Sequence, residues 1–281
     1  MPDVVHIPSP TGVVIAADHW EGAGRPVVLA HGGGQTRYSW GGTAQALADA
    51  GHRVVSMDLR GHGDSTWAPD HDYTMTSFRD DALAVADWVA EPPTWVGASL
   101  GGMSGLHAVD ERPTAFRALV LVDITPHPAK QGVDKILGFM GANAEDGFAT
   151  LDEAADAIAA YQPHRTRPKD LSGLAKNLRL GDDGRWRWHW DPRFLEGNRR
   201  IGAGSREVEQ ALVAAAKSVT IPALLVRGGS SELVQEEHAK DFVKLVPHAT
   251  YVDVSGARHM VAGDRNDQFA NAIEVFLRTV A

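Results

Sequence analysis

Three groups of residues in this chain have types and spacing suited to nucleophilic catalysis. The first is Gly97-Ala98-Ser99-Leu100-Gly101, a G-x-S-x-G pattern. Small neighbours allow a tight, strained turn, and a serine on such a turn stands clear of the chain, where its hydroxyl can attack a carbonyl. Gly102 and Gly105 keep the following segment slim on one face. The second group is His31-Gly32-Gly33-Gly34. A glycine run lets backbone approach a substrate and turn N–H groups toward a developing oxyanion. The expected donors are the amide of Gly33, with Gly34 as the alternative, and the amide of Leu100. His31 reads as shaping this loop rather than catalysing. The third is His259, in Ser255-Gly256-Ala257-Arg258-His259-Met260. It stands out among 13 histidines by its position on a late loop, from which an imidazole can take the Ser99 proton.

Such a base needs a carboxylate to fix its tautomer. Two candidates follow apolar runs. Glu232 lies in Gly228-Gly229-Ser230-Ser231-Glu232-Leu233, and Asp123 follows Ala118–Val122. The order serine, acid, histidine holds for both. Glu232 is favoured, because its loop neighbours the His259 segment in sequence and its two glycines give it reach; Asp123 is the runner-up. Asp253, inside a strand-like run, and Asp264, at a helix start, are poorer choices.

Positioning these groups requires a frame that brings distant segments to one edge. Short apolar runs at Val27–Ala30, His52–Met57, Thr94–Ala98, Ala118–Val122, Ala223–Arg227 and Thr250–Val254 read as strands. Val4–Ile7 and Val13–Ala17 read as a preceding hairpin. Helical patterns cover Trp40–Ala50, Ser77–Ala90, Leu100–Asp110, Glu207–Ser218, Gln235–Leu245 and Asp267–Val280. This alternation predicts an α/β fold with a mostly parallel sheet covered by helices on both faces. From Thr125 to Ser205 no clear strand is legible, and Leu151–Tyr161 is an Ala-rich helix. The expected organisation is therefore a core of residues 1–124 and 206–281 with a helical cap insertion over 125–205.

Composition narrows the function. The 281 residues carry a formal net charge of −9 and no long basic run, which argues against nucleic acid as a partner. There are no cysteines, so disulfides, thiolate catalysis and Cys-ligated metals are excluded. No secretory signal and no membrane-spanning apolar run is legible, and the expected location is cytoplasmic. Neither a cofactor nor a metal is expected. The partner is a small-molecule substrate, and homo-oligomerisation stays open. Within the insertion, Arg185-Trp186-Arg187-Trp188-His189-Trp190 alternates aromatic and basic residues. Trp186 and Trp188, with Gly34, are candidate substrate-binding residues; anchoring of the insertion on the core is the preferred reading for the tryptophans.

Taken together, His31-Gly32-Gly33, Asp58-Leu59-Arg60-Gly61-His62-Gly63-Asp64-Ser65, Gly97-Ala98-Ser99-Leu100-Gly101-Gly102 and the late His259 resemble the α/β-hydrolase superfamily in its cap-bearing branch. That branch includes esterases, C–C bond hydrolases, lactonases and cofactor-free haloperoxidases. The resemblance covers nearly the whole chain. It implies an eight-stranded, mostly parallel sheet with a helical cap after the sixth strand. The family acid on the Glu232 loop is more often Asp than Glu. Ser99 stands where epoxide hydrolases and haloalkane dehalogenases carry Asp, which argues against both activities. The expected function is cleavage of an ester-like bond, a carboxylester or lactone, of a small, partly apolar substrate through an acyl-enzyme. C–C bond hydrolysis or lyase chemistry with the same triad, and a non-catalytic ligand-binding module, are the alternatives.

Overall fold

In the computed structural model, which describes residues 1–196 and 206–280, the apolar runs form the interior of one sheet. Its strands are β1 (Asp3–Pro8), β2 (Val14–Trp20), β3 (Pro26–Ala30), β4 (Arg53–Met57), β5 (Thr94–Ala98), β6 (Ala118–Val122), β9 (Ala223–Gly228) and β10 (Thr250–Val254). The order across the sheet is β1-β2-β4-β3-β5-β6-β9-β10. The β1–β2 and β2–β4 pairs are antiparallel, and every other pair is parallel. A parallel sheet needs cover on both faces, so its strands are apolar on both sides. In β6, Leu119 and Leu121 enter one core while Ala118, Val120 and Val122 enter the other. In β3, Val28 and Ala30 face the first core and Val27 and Leu29 the second. This is the period-two alternation of a pleated strand, buried twice.

The helices divide the same way. α1 (Gly41–Asp49) and α9 (Asn266–Thr279) supply Ala44, Leu47, Phe269, Ile273 and Phe276 to the second core. α2 (Met75–Val89), α3 (Leu100–Glu111), α6 (Arg206–Ser218) and α7 (Glu236–Leu245) cover the opposite face with Phe78, Val85, Leu106, Leu212 and Phe242. Thr74 caps α2 by accepting the Ser77 amide, and the short α8 (Val261–Asp264) precedes α9. None of the helices described is long and apolar enough to cross a membrane.

Between β6 and α6 the chain leaves the sheet. This insertion carries α4 (Lys130–Ala142), α5 (Leu151–Tyr161) and a hairpin of β7 (Leu178–Leu180) and β8 (Trp186–Trp188). The hairpin corrects the expectation of a strand-free insertion. Its strands have three residues each, too short for alternation to register in the sequence, and a bridge from Trp186 to Phe148 extends them. Residues 197–205 of the expected 125–205 span lie outside the described residues.

Candidate active site

Parallel register brings the segments that carry Gly33, Ser99, Asp123, Glu232 and His259 to one edge. Ala30 pairs with Gly97, Ala98 with Val122, Val122 with Val226, and Val254 with Gly228. The segments that follow these residues therefore open side by side at the C-terminal edge of the sheet, where open α/β sheets bind ligands.

Ser99 is the single residue between β5 and α3, with φ 46° and ψ −112°. A positive φ at a residue with a Cβ is strained, and it persists because both flanks are pinned. The Ser99 amide donates to Val122 O, and the Met103 amide donates to Ser99 O at 2.9 Å. Close approach explains the flanking glycines. A Cβ at Gly97 would lie 2.3 Å from Gly101 O, and one at Gly101 would lie 2.3 Å from Ala30 O. The Ser99 hydroxyl has no hydrogen-bond partner among the described residues, which leaves it open to a proton acceptor.

The carboxylate that meets His259 is Asp123. His259 Nδ1 donates to Asp123 Oδ2 at 2.8 Å. The same oxygen accepts the Ser231 hydroxyl at 2.6 Å, and Oδ1 accepts the Gly228 amide at 3.0 Å. Ser231 Oγ in turn accepts the amides of Leu233 and Val234. Asp123 is fully buried and sits one residue beyond Val122, beside Ser99. With Nδ1 committed to Asp123, Nε2 is the ring nitrogen left for Ser99.

The favoured acid, Glu232, is corrected by this geometry. Its side chain is 48% exposed and pairs with Lys135 at 2.6 Å and Arg258 at 3.2 Å, not with His259. The Lys135 ammonium holds its carboxyl below the usual carboxylate range. Two cations outside the strand edge draw the side chain outward, and the shorter Asp123 is already in place. Asp264 also has another task. It accepts the Arg258 amide at 2.8 Å and binds Arg165, tying the His259 loop to the segment that follows α5.

On the other side of Ser99, the glycine loop presents one open amide. Gly32 N–H donates to Gln35 Oε1 and Gly34 N–H donates to His62 Nε2, each at 3.0 Å. Gly34 is thereby removed as an oxyanion donor. No described residue accepts from the Gly33 amide or from the Leu100 amide that opens α3. His31 is fully buried, accepts the Leu59 amide on Nε2 at 3.0 Å and donates from Nδ1 to Gly32 O at 2.8 Å. Burial lowers its pKa to about 4, so the ring is neutral and fixed in one tautomer.

The residues above this loop are apolar. Phe194 approaches Gly33 to within 3.4 Å of where a Cβ would sit, and Met140 approaches Gly34 to within 2.9 Å. Sequence reasoning passed over both, since neither carries a signal beyond its hydrophobicity. Trp186 and Trp188, expected as substrate contacts, pack inside the insertion instead. Trp186 bridges Phe148 through the backbone, and the Trp188 ring meets Phe139 and Phe148 edge-on. Trp190 is the anchor, stacked against His62 of the core. A cavity of about 260 Å³ lined by Met75, Arg79, His107 and Glu207 lies two turns of α3 away from Leu100, on the outer helical layer. Among the described residues, no group of three His, Asp or Glu side chains is arranged to hold a metal ion.

Comparison with known proteins agrees with the fold. A family model described as the alpha/beta hydrolase fold matches residues 25–265. The chain is 30% identical over 257 residues to esterase Rv0045c of Mycobacterium tuberculosis, covering 89% of this chain and 82% of that protein. It is 29% identical over 267 residues to the 3-hydroxybutyrate-oligomer hydrolase of Cupriavidus necator, covering 89% of each. The crystal structure of esterase Rv0045c superposes with a TM-score of 0.78 at 25% identity, over 99% of this chain and 92% of that one. That of E-2-(acetamidomethylene)succinate hydrolase superposes with a TM-score of 0.82 at 22% identity, over 98% and 100%, a likeness of fold.

Proposed function

The chain belongs to the alpha/beta hydrolase fold family, and from that premise we propose that it is a serine hydrolase cleaving an ester-like bond of a small, partly apolar substrate. The observation that carries the reading is the His259–Asp123 hydrogen bond, 2.8 Å long, formed beside the strained turn that holds Ser99. The esterase and hydrolase names of the relatives support it.

In this reading Ser99 Oγ attacks the substrate carbonyl while His259 Nε2 takes its proton. The imidazolium is stabilised by Asp123, which stays ionised. The carbonyl oxygen becomes an oxyanion held by the Gly33 and Leu100 amides, each contributing about 3 kcal/mol to the barrier reduction. His259 returns the proton to the leaving alcohol, and the acyl group remains on Ser99. Water, deprotonated by His259, then releases the acid and restores the serine. The insertion acts as a cap that excludes water from the strand edge. The apolar pair Phe194 and Met140 faces the acyl carbonyl, so uncharged acyl groups fit this side of the site. A cytoplasmic location, consistent with the absence of cysteine, belongs to the same reading.

The test is labelling by a fluorophosphonate and turnover of p-nitrophenyl esters. The expected result is stoichiometric labelling of Ser99 and loss of both signals in Ser99→Ala, with an unchanged far-UV circular dichroism spectrum. Turnover retained by Ser99→Ala would refute the nucleophile.

A further inference from the structure

His62 lies in the Asp58–Ser65 turn, outside the triad, and makes a connection that the mechanism above does not use. Its ring is fully buried. Nδ1 lies 2.9 Å from the Arg60 carbonyl, which can only accept, so Nδ1 carries the proton. Nε2 is then a lone pair, and it receives the Gly34 amide at 3.0 Å. Burial, reinforced by the neighbouring His31 ring 5.3 Å away, lowers the His62 pKa to about 3 and keeps the ring neutral.

These contacts decide where the Gly33 amide points. The Gly32–Gly33 peptide is planar and trans, so its N–H points opposite to its C=O. His31 fixes that C=O through the 2.8 Å bond to Gly32 O. His62 fixes the next peptide through the Gly34 amide. Gly33, with no side chain of its own, is thus held from both sides by two neutral imidazoles.

The same turn is where the insertion docks. The Gly63 amide donates to His189 O at 2.7 Å, and the Asp191 amide donates to Gly61 O at 2.8 Å, with a bridge between His62 and Trp190. Phe194 meets the His62 ring edge-on at 5.0 Å and also lies over Gly33. Asp191, fully buried, accepts the Tyr73 hydroxyl at 2.6 Å and locks this stretch to the core.

We propose that His62 is a positioning residue that couples docking of the insertion to the orientation of the Gly33 oxyanion donor. It touches no substrate; it acts through the Gly34 amide. The catalytic part of this inference rests on the hydrolase reading above, whereas the brace itself does not.

The experiment compares wild type, His62→Phe and His62→Gln. Phenylalanine keeps a ring against Phe194 and Trp190 but removes the acceptor. Glutamine places a carbonyl oxygen near the Nε2 position. Two readouts are taken: kcat and KM on a p-nitrophenyl ester, and native-state hydrogen exchange of the Gly34 amide by NMR. Misplacing one oxyanion donor should lower kcat of His62→Phe by about 100-fold with KM changed less than about twofold, because the donor acts in the transition state. His62→Gln should recover to within about fivefold of wild type. Gly34 exchange should accelerate at least about tenfold in His62→Phe and return in His62→Gln. Unchanged Gly34 exchange in His62→Phe overturns the brace, whatever happens to activity. Faster exchange with wild-type kcat overturns the coupling to catalysis. If the wild type neither labels nor turns over while the exchange pattern holds, the hydrolase reading falls and the brace stands.

Discussion

Replacing Asp123 by asparagine keeps its shape and its backbone, since asparagine tolerates the φ of 50° found there. What changes is the pattern of donors. Asp123 Oδ1 accepts one amide, and Oδ2 accepts both the Ser231 hydroxyl and the His259 Nδ1 proton. An amide offers one oxygen and one NH2 group. Turned one way, its NH2 faces the Gly228 amide; turned the other, it faces His259 and Ser231. The second arrangement drives His259 to the tautomer with its proton on Nε2, where a base is needed for Ser99. Loss of the correct tautomer costs about four orders of magnitude in kcat, or about 5.5 kcal/mol in the barrier. Glu232→Gln provides the control. It removes two exposed ion pairs, worth at most about 1 kcal/mol each in stability, and should leave kcat within about twofold. The assay is kcat on p-nitrophenyl butyrate for both variants, with thermal midpoints measured alongside to show that both are folded. The reasoning is refuted if Asp123→Asn retains more than about a tenth of wild-type kcat, or if Glu232→Gln falls equally far.

Three further outcomes follow from the geometry. Ser99→Gly should be more stable than Ser99→Ala by about 1 kcal/mol in urea denaturation, since only glycine relieves the φ of 46° and loses part of that gain to chain entropy; equal midpoints would show that the turn is unstrained. Gly101→Ala should lose about 3 kcal/mol, because its Cβ would lie 2.3 Å from Ala30 O and force β3 and α3 apart; wild-type stability would contradict that close contact. His31 and His62 are lowered to about 4 and about 3 in the folded protein, so the unfolded chain binds more protons below pH 6.5. Stability from these rings is therefore complete above about pH 6.5 and lost as pH falls toward the folded values, on the order of 3 kcal/mol for His31 and about 5 kcal/mol for His62. Replacing His31 by glutamine should flatten that acid limb in a denaturation series from pH 7 to pH 4, and an unchanged slope would contradict it.

The frame of the molecule was legible because its strands are buried on both faces. A run such as Ala118–Val122 has no other stable place than the middle of a covered sheet. The placement of Ser99 and His259 at the sheet edge was legible for a related reason, since each follows such a run. The carboxylate that meets His259 was not, because Asp123 and Glu232 satisfy the same rule. The choice between them is made by partners remote in sequence. Lys135, from the insertion, draws Glu232 outward, while Ser231 and Gly228 close around Asp123. Neither preference leaves a local pattern. Ser231 sits in a Gly-Ser turn like many others, and His62 sits in a turn whose glycines explain themselves without it. The hairpin of β7 and β8 was hidden because two strands of three residues are shorter than the window over which alternation can be recognised.

Asp123 is also the root from which the insertion grows: β6 ends at Val122, and the chain then runs outward to α4 at Lys130. A chimera that exchanges insertions between relatives must therefore be spliced downstream of this root. Adding or deleting one residue at the junction would rotate the carboxylate out of line with the imidazole, whereas length changes at the far tip of the graft would leave that alignment untouched.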